Sequence, residues 1–125
     1  MSHIVTEQLK TVIKSESGIK SAIALMGTEF PGLTYEQKNP DLIQIRYKAI
    51  EVYQSKGNMR LVKNGSSWDL QLDRWNCKEI AEKVKISFER NYRKAGALAY
   101  AKKAGFRIQS DQTTESGSRL IAVRY

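Results

Sequence analysis

From His3 to Ile13 apolar and polar positions alternate imperfectly, with Ile4, Val5 and Leu9 set among Thr6, Gln8 and Lys10. That pattern predicts an N-terminal strand. Ser15 and Ser17 then offer helix N-caps, Ile19, Ala22, Ile23 and Met26 fall at helical spacing, and Gly27 is placed to stop the turn. A short helix over about Glu16 to Met26 follows. Phe30-Pro31-Gly32 reads as a loop, Leu33 to Glu36 as a short strand, and Asn39-Pro40-Asp41 as a turn. From Leu42 to Tyr53 the apolar parity changes midway, from Ile43, Ile45 and Tyr47 to Ile50 and Val52. This predicts a strand with a bulge near Lys48-Ala49.

Asn58 to Asp73 carries the clearest hairpin signal. Met59 and Leu61 alternate on one arm and Trp68, Leu70 and Leu72 on the other, with Asn64-Gly65 supplying the tight turn between them. Asn76, with Glu79 three residues on, resembles a capping box for a long helix, and Trp75 just before it could pack as a staple. Cys77, Ile80, Ala81, Val84, Phe88 and Tyr92 trace one apolar face. Gly96 offers a break or kink; Leu98, Ala101 and Ala104 continue the helix and Gly105 ends it. Phe106 to Ser110 and Arg119 to Tyr125 read as strands about a turn at Glu115 to Ser118. The expected fold is α+β. An antiparallel sheet of about five or six strands would carry one short N-terminal helix and one long C-terminal helix, open to a kink, on one face.

The 125 residues are expected to form a single domain, 1–125, large enough to bury a core without a disulfide or a metal. Cys77 is the lone cysteine, which excludes an intramolecular disulfide and suggests a reducing compartment. Met1 to Lys14 has no apolar signal core, and the longest clean apolar run, Ala22 to Met26, is far short of a membrane span. The expectation is a cytoplasmic protein, or a stromal one in a plastid, with no membrane partner.

Candidate chemistry is sparse. Cys77 falls at a helix N-terminus, which favours a thiolate, but the only histidine to serve it is His3. A small core thiol is the simpler reading. One histidine and one cysteine do not make a zinc site. Asp69 and Asp73 share a strand face, yet Arg74 beside Asp73 suggests a surface ion pair rather than acid–base chemistry. There is no phosphate-binding glycine loop and no dinucleotide fingerprint. No catalytic residue, metal site, cofactor or small-molecule substrate is inferred, and a non-enzymatic protein is expected.

Charge placement is the strongest signal. Of a net charge of +8, +6 falls between Lys78 and Arg107, where nine basic residues face three acids. On a helix Lys83, Arg90 and Lys94 lie within about 40° of one another, with Arg93 nearby. Tyr92 and Trp75 stand as aromatic anchors. This face suits an acidic protein partner. With Tyr92 and Tyr100 near it to offer a ring for stacking, the row would also suit the backbone of a nucleic acid bound without regard to sequence, although no ribonucleoprotein or zinc-finger motif accompanies it. A merely solvated helix face, with the tyrosines in the core, is the plain alternative.

Several segments in order carry a family resemblance. These are Met1-Ser2-His3, Asn64-Gly65-Ser66-Ser67-Trp68-Asp69-Leu70, Asp73-Arg74-Trp75, Arg90-Asn91-Tyr92, Ala101-Lys102-Lys103-Ala104-Gly105-Phe106, and a Gly117 turn leading to Leu120 and Arg124-Tyr125. Together they resemble the domain-of-unknown-function family that contains a conserved hypothetical chloroplast reading frame, with members in cyanobacteria, plastids, other bacteria and phages. The resemblance brings no activity. It implies an ATPase of the AAA-plus type as a partner. The function expected is that of an accessory or adaptor protein binding an acidic partner through Lys83, Arg90, Arg93, Lys94, Trp75 and Tyr92, with nucleic-acid binding by the same face as the alternative.

Overall fold

The structure, a computed structural model, describes residues 4–50, 55–73, 78–114 and 117–124. Its frame is built on the central hairpin. β4 (Ser55–Asn64) and β5 (Ser67–Asp73) pair antiparallel, with Leu61 opposite Leu70 and Asn64 opposite Ser67. The loop is therefore Gly65-Ser66, one residue later than the Asn64-Gly65 centre expected. Gly65 takes a φ of 65°, which an L side chain resists. The alternation on β5 is strict: Trp68, Leu70 and Leu72 are buried while the residues between them are half-exposed. That is the period-two signature of a sheet with one face covered.

Outward from β4 come β3 (Leu42–Ile50) and then β2 (Thr34–Asn39). On the other side of β5 lies β1 (Ile4–Thr6), completing an antiparallel five-stranded sheet of order β1-β5-β4-β3-β2. The register of β3 on β4 shifts between Lys48 and Ile50, where the parity change predicted a bulge. The expected N-terminal strand is cut to three residues. After Glu7, whose N–H still reaches the Leu70 carbonyl at 2.8 Å, the chain leaves the sheet edge for the helices. It returns at Ile13, which bridges to Trp68.

Helix α1 (Glu16–Met26) starts at Ser15, whose Oγ accepts the Gly18 N–H at 2.9 Å. Such a cap contributes about 0.5–2 kcal/mol. Its buried stripe of Ile19, Ala22, Ile23 and Met26 is the one the spacing predicted. Helix α2 (Lys78–Lys103) runs 26 residues without interruption, so Gly96 neither breaks nor stops it. Val84 and Phe88 of α2 join the α1 stripe and the inward residues of β3, β4 and β5 in one core. Both helices therefore pack on the same face of the sheet.

The last two strands depart from the expected single sheet. β6 (Phe106–Thr114) and β7 (Gly117–Arg124) pair with each other as a separate two-stranded ribbon that touches α2.

Candidate functional site on the second helix

Helix α2 divides its polar residues between two tasks. Arg90 is 9% exposed. Its Nη2 donates to both oxygens of Glu29 at 2.7 and 2.6 Å, and Ser87 Oγ donates to Glu29 Oε2 at 2.7 Å. Asn91 Nδ2 in turn donates to the carbonyl of Ser87 at 2.9 Å and to its Oγ at 3.1 Å. Glu29 lies in the loop that follows α1, so packing α1 against α2 brings it over Arg90. Partial burial pushes the Glu29 carboxyl up, but the hydrogen bonds from Arg90 and Ser87 and the guanidinium charge outweigh this and hold it below its ordinary value.

Tyr92 is likewise structural. Its hydroxyl accepts the N–H groups of Lys14 and Ser15, both at 3.1 Å. Its ring lies against Gly18, where an added Cβ would stand 2.9 Å from Cε2, and is stacked on Phe88 with centroids 6.1 Å apart. The tyrosine thus fixes the start of α1 from the side. Glu89, 8% exposed, accepts the Lys10 N–H with both oxygens at 3.1 and 3.2 Å. Lys85 meets the well-buried carboxylate of Glu7 at 3.5 Å. These contacts tie the segment between β1 and α1 to the helix.

The row expected from sequence is therefore broken. Lys83 is exposed, Arg90 is buried on Glu29, and Lys94 is half-buried. Arg93 is half-exposed, its Nη1 3.9 Å from Glu89 Oε1. Trp75, Cys77 and His3 lie outside the described residues. Arg90 and Tyr92 are committed to intramolecular contacts, which corrects their expected place on a free binding face. The physical reason is that the apolar stripe of α2 is broader than its aliphatic residues suggest. Glu29 and the N–H groups of Lys14 and Ser15 reach in to satisfy the polar groups at its margins.

A different line of residues faces out. Ile86, Arg93 and Tyr100 are spaced by seven, which sets successive members about 20° apart around the helix and about 10.5 Å apart along it. Ile86 is 50% exposed and Tyr100 73% exposed. Lys102 and Lys103 are exposed close by. Sequence reasoning singled out Arg93 and Tyr100 of this seam but passed over Ile86; the seven-residue cadence that joins the three was the available signal. Beside it, between the N-terminal segment and α2, runs a groove of about 370 Å³ lined by residues that include Lys10, Glu82, Lys85, Ile86 and Arg93. Cations and carboxylates share its walls, so it favours neither sign of ligand.

Asp69 is engaged by Asn64 Nδ2 at 3.2 Å. It is separated from Asp73 by about 13 Å of strand, further than the carboxyl spacings used in glycoside hydrolysis. Among the described residues no group of three or more histidine, cysteine or acidic side chains could hold a metal ion, and no helix is long and apolar enough to cross a membrane. No protein-family model matches the chain, and no curated protein matches it.

Proposed function

We propose that the protein is a non-enzymatic accessory or adaptor that engages an acidic partner through the outward seam of α2. The observation that carries this reading is Tyr100: a large aromatic side chain, 73% exposed, in line with Arg93 and followed by Lys102 and Lys103. Tyrosine and arginine are the residues on which interface energy concentrates. Flanking lysines speed encounter with an acidic surface without adding much to the final affinity. The family resemblance in the sequence suggests an ATPase of the AAA-plus type as that surface.

Fluorescence-anisotropy titration of labelled polyglutamate, over a series of salt concentrations, tests this. Binding is expected at low salt, weakening as salt screens the lysines, and falling roughly tenfold for Tyr100→Ala with Lys103→Glu. Unchanged binding by that variant would remove the seam from the account. Preference for single-stranded DNA over polyglutamate, with a steep salt slope, would replace the adaptor reading with a nucleic-acid one.

A further inference from the structure

We infer that the outer edge of β7 accepts an extended acidic segment of a partner as a third strand. The inference rests on the acidic-partner reading and names the form that partner takes. Among the described residues the β6–β7 ribbon forms a sheet of its own, apart from the five-stranded one. A two-stranded ribbon by itself is marginal in water, and its outer edges present unpaired N–H and C=O groups.

The edges in this fold are not equivalent. β1 is three residues long. β2 is polar and exposed along its whole length, has an irregular register between Gln37 and Asn39, and pairs Glu36 with Lys38 at 2.9 Å. Those are the devices by which an edge is closed to strangers. In β6 the register shifts between Ile108 and Ser110, leaving Gln109 as a bulge. β7 alone among these four runs eight residues in regular register.

Its sequence points the same way. Leu120-Ile121-Ala122-Val123 is an unbroken apolar run, the composition of a strand with neighbours on every side. Arg119 and Arg124 bracket the run, and β7 has no carboxylate. A second copy of the chain fits poorly. Antiparallel self-pairing that sets Leu120 to Val123 against itself places Arg119 opposite Arg124 at both ends, and like charges directly opposite are destabilising. An acidic strand reverses that sign at both ends. Arg124 is paired with Phe106, just past the end of α2, so a strand added there continues toward Lys102 and Lys103. Added strands of this kind draw affinity from main-chain hydrogen bonds and specificity from alternate side chains.

The test uses the isotope-labelled full chain and three synthetic peptides: Glu-Val-Val-Val-Val-Glu (Glu-Val), whose glutamates are five apart as Arg119 and Arg124 are, its Lys-Val counterpart with lysine at both ends, and Glu-Val with every second amide N-methylated. Amide hydrogen exchange is the readout. The Glu-Val peptide is expected to slow exchange across residues 117–124, and the other two are not. Arg119→Glu with Arg124→Glu is expected to weaken the Glu-Val peptide roughly tenfold. Equal protection by the Lys-Val or the N-methylated peptide overturns the inference, as does a free protein that sediments as a dimer with β7 already protected. Binding that perturbs residues 86–103 and leaves 117–124 unchanged overturns it while the acidic-partner reading stands. No binding of Glu-Val anywhere removes both.

Discussion

Tyr47 lies across Gly57 of the neighbouring strand so closely that a Cβ at position 57 would stand 2.3 Å from Cε2 and Cζ of its ring. The two are register partners, and Tyr47 is 1% exposed in the core. The ring occupies the room a side chain would take, so the glycine is required by the tyrosine rather than by a backbone angle. Gly57→Ala is expected to destabilise the protein by about 1–3 kcal/mol, the cost of overpacking a filled site. Combining it with Tyr47→Leu is expected to relieve part of that loss. Denaturant midpoints of the four-member cycle check the coupling; strict additivity would mean that the ring is not the obstacle.

Arg90→Ala is expected to cost about 1–3 kcal/mol, because two charge-assisted hydrogen bonds to Glu29 disappear with it. Arg90→Lys is expected to recover little, since a single ammonium on a flexible stem must replace a planar donor at a fixed distance. Thermal denaturation of both variants, followed by circular dichroism, decides the matter. A Lys variant as stable as the parent would show that charge alone suffices.

The lowered pKa of Glu29 carries a pH dependence. A carboxyl held below its unfolded value contributes stability that is complete above that value and is lost as the pH falls through the native one. The stability difference between parent and Glu29→Gln is therefore expected to be largest near neutrality and to shrink on acidification below the ordinary carboxyl range. Urea midpoints collected across that range measure it. A difference that stays constant with pH would mean that the glutamate contributes by shape and not by charge.

Tyr92→Phe is expected to lower stability by about 0.5–1.5 kcal/mol, water replacing part of what the hydroxyl supplied. The more specific outcome is local: amide exchange at Lys14 and Ser15 is expected to accelerate, because their N–H groups lose the phenolic acceptor. Unchanged exchange at both positions would place the tyrosine's contribution in its ring alone.

Ile86→Ser and Tyr100→Ser are expected to leave stability within about 0.5 kcal/mol of the parent, as surface changes away from caps and networks do. Differential scanning calorimetry checks this. A large loss at either site would mean that the outward seam is covered within the molecule.

Elements whose signals are local were the most legible in the sequence. The limits of α1, the bulge near Lys48 and the alternation about Gly65 all follow from residues within a few positions of one another. What escaped depends on distant partners. Nothing near Arg90 in the chain announces Glu29, 61 residues away, and nothing near Tyr92 announces the amides of Lys14 and Ser15. A helical wheel assigns residues at the margin of an apolar stripe to solvent unless the neighbouring element is known to bring a complementary group. The separate β6–β7 ribbon was hidden for a related reason. Strand composition reveals pairing between neighbours in the chain, but it does not reveal whether a hairpin joins the central sheet or stands as a ribbon of its own.

The cadence of α2 gives that helix an unusual freedom to change its clientele. Positions 89, 90 and 92 anchor the rest of the molecule, while 86 and 100, a few steps along the same spiral, stand out from it. A lineage could rewrite those two outward letters and readdress the protein to another client, leaving the chassis beneath them untouched.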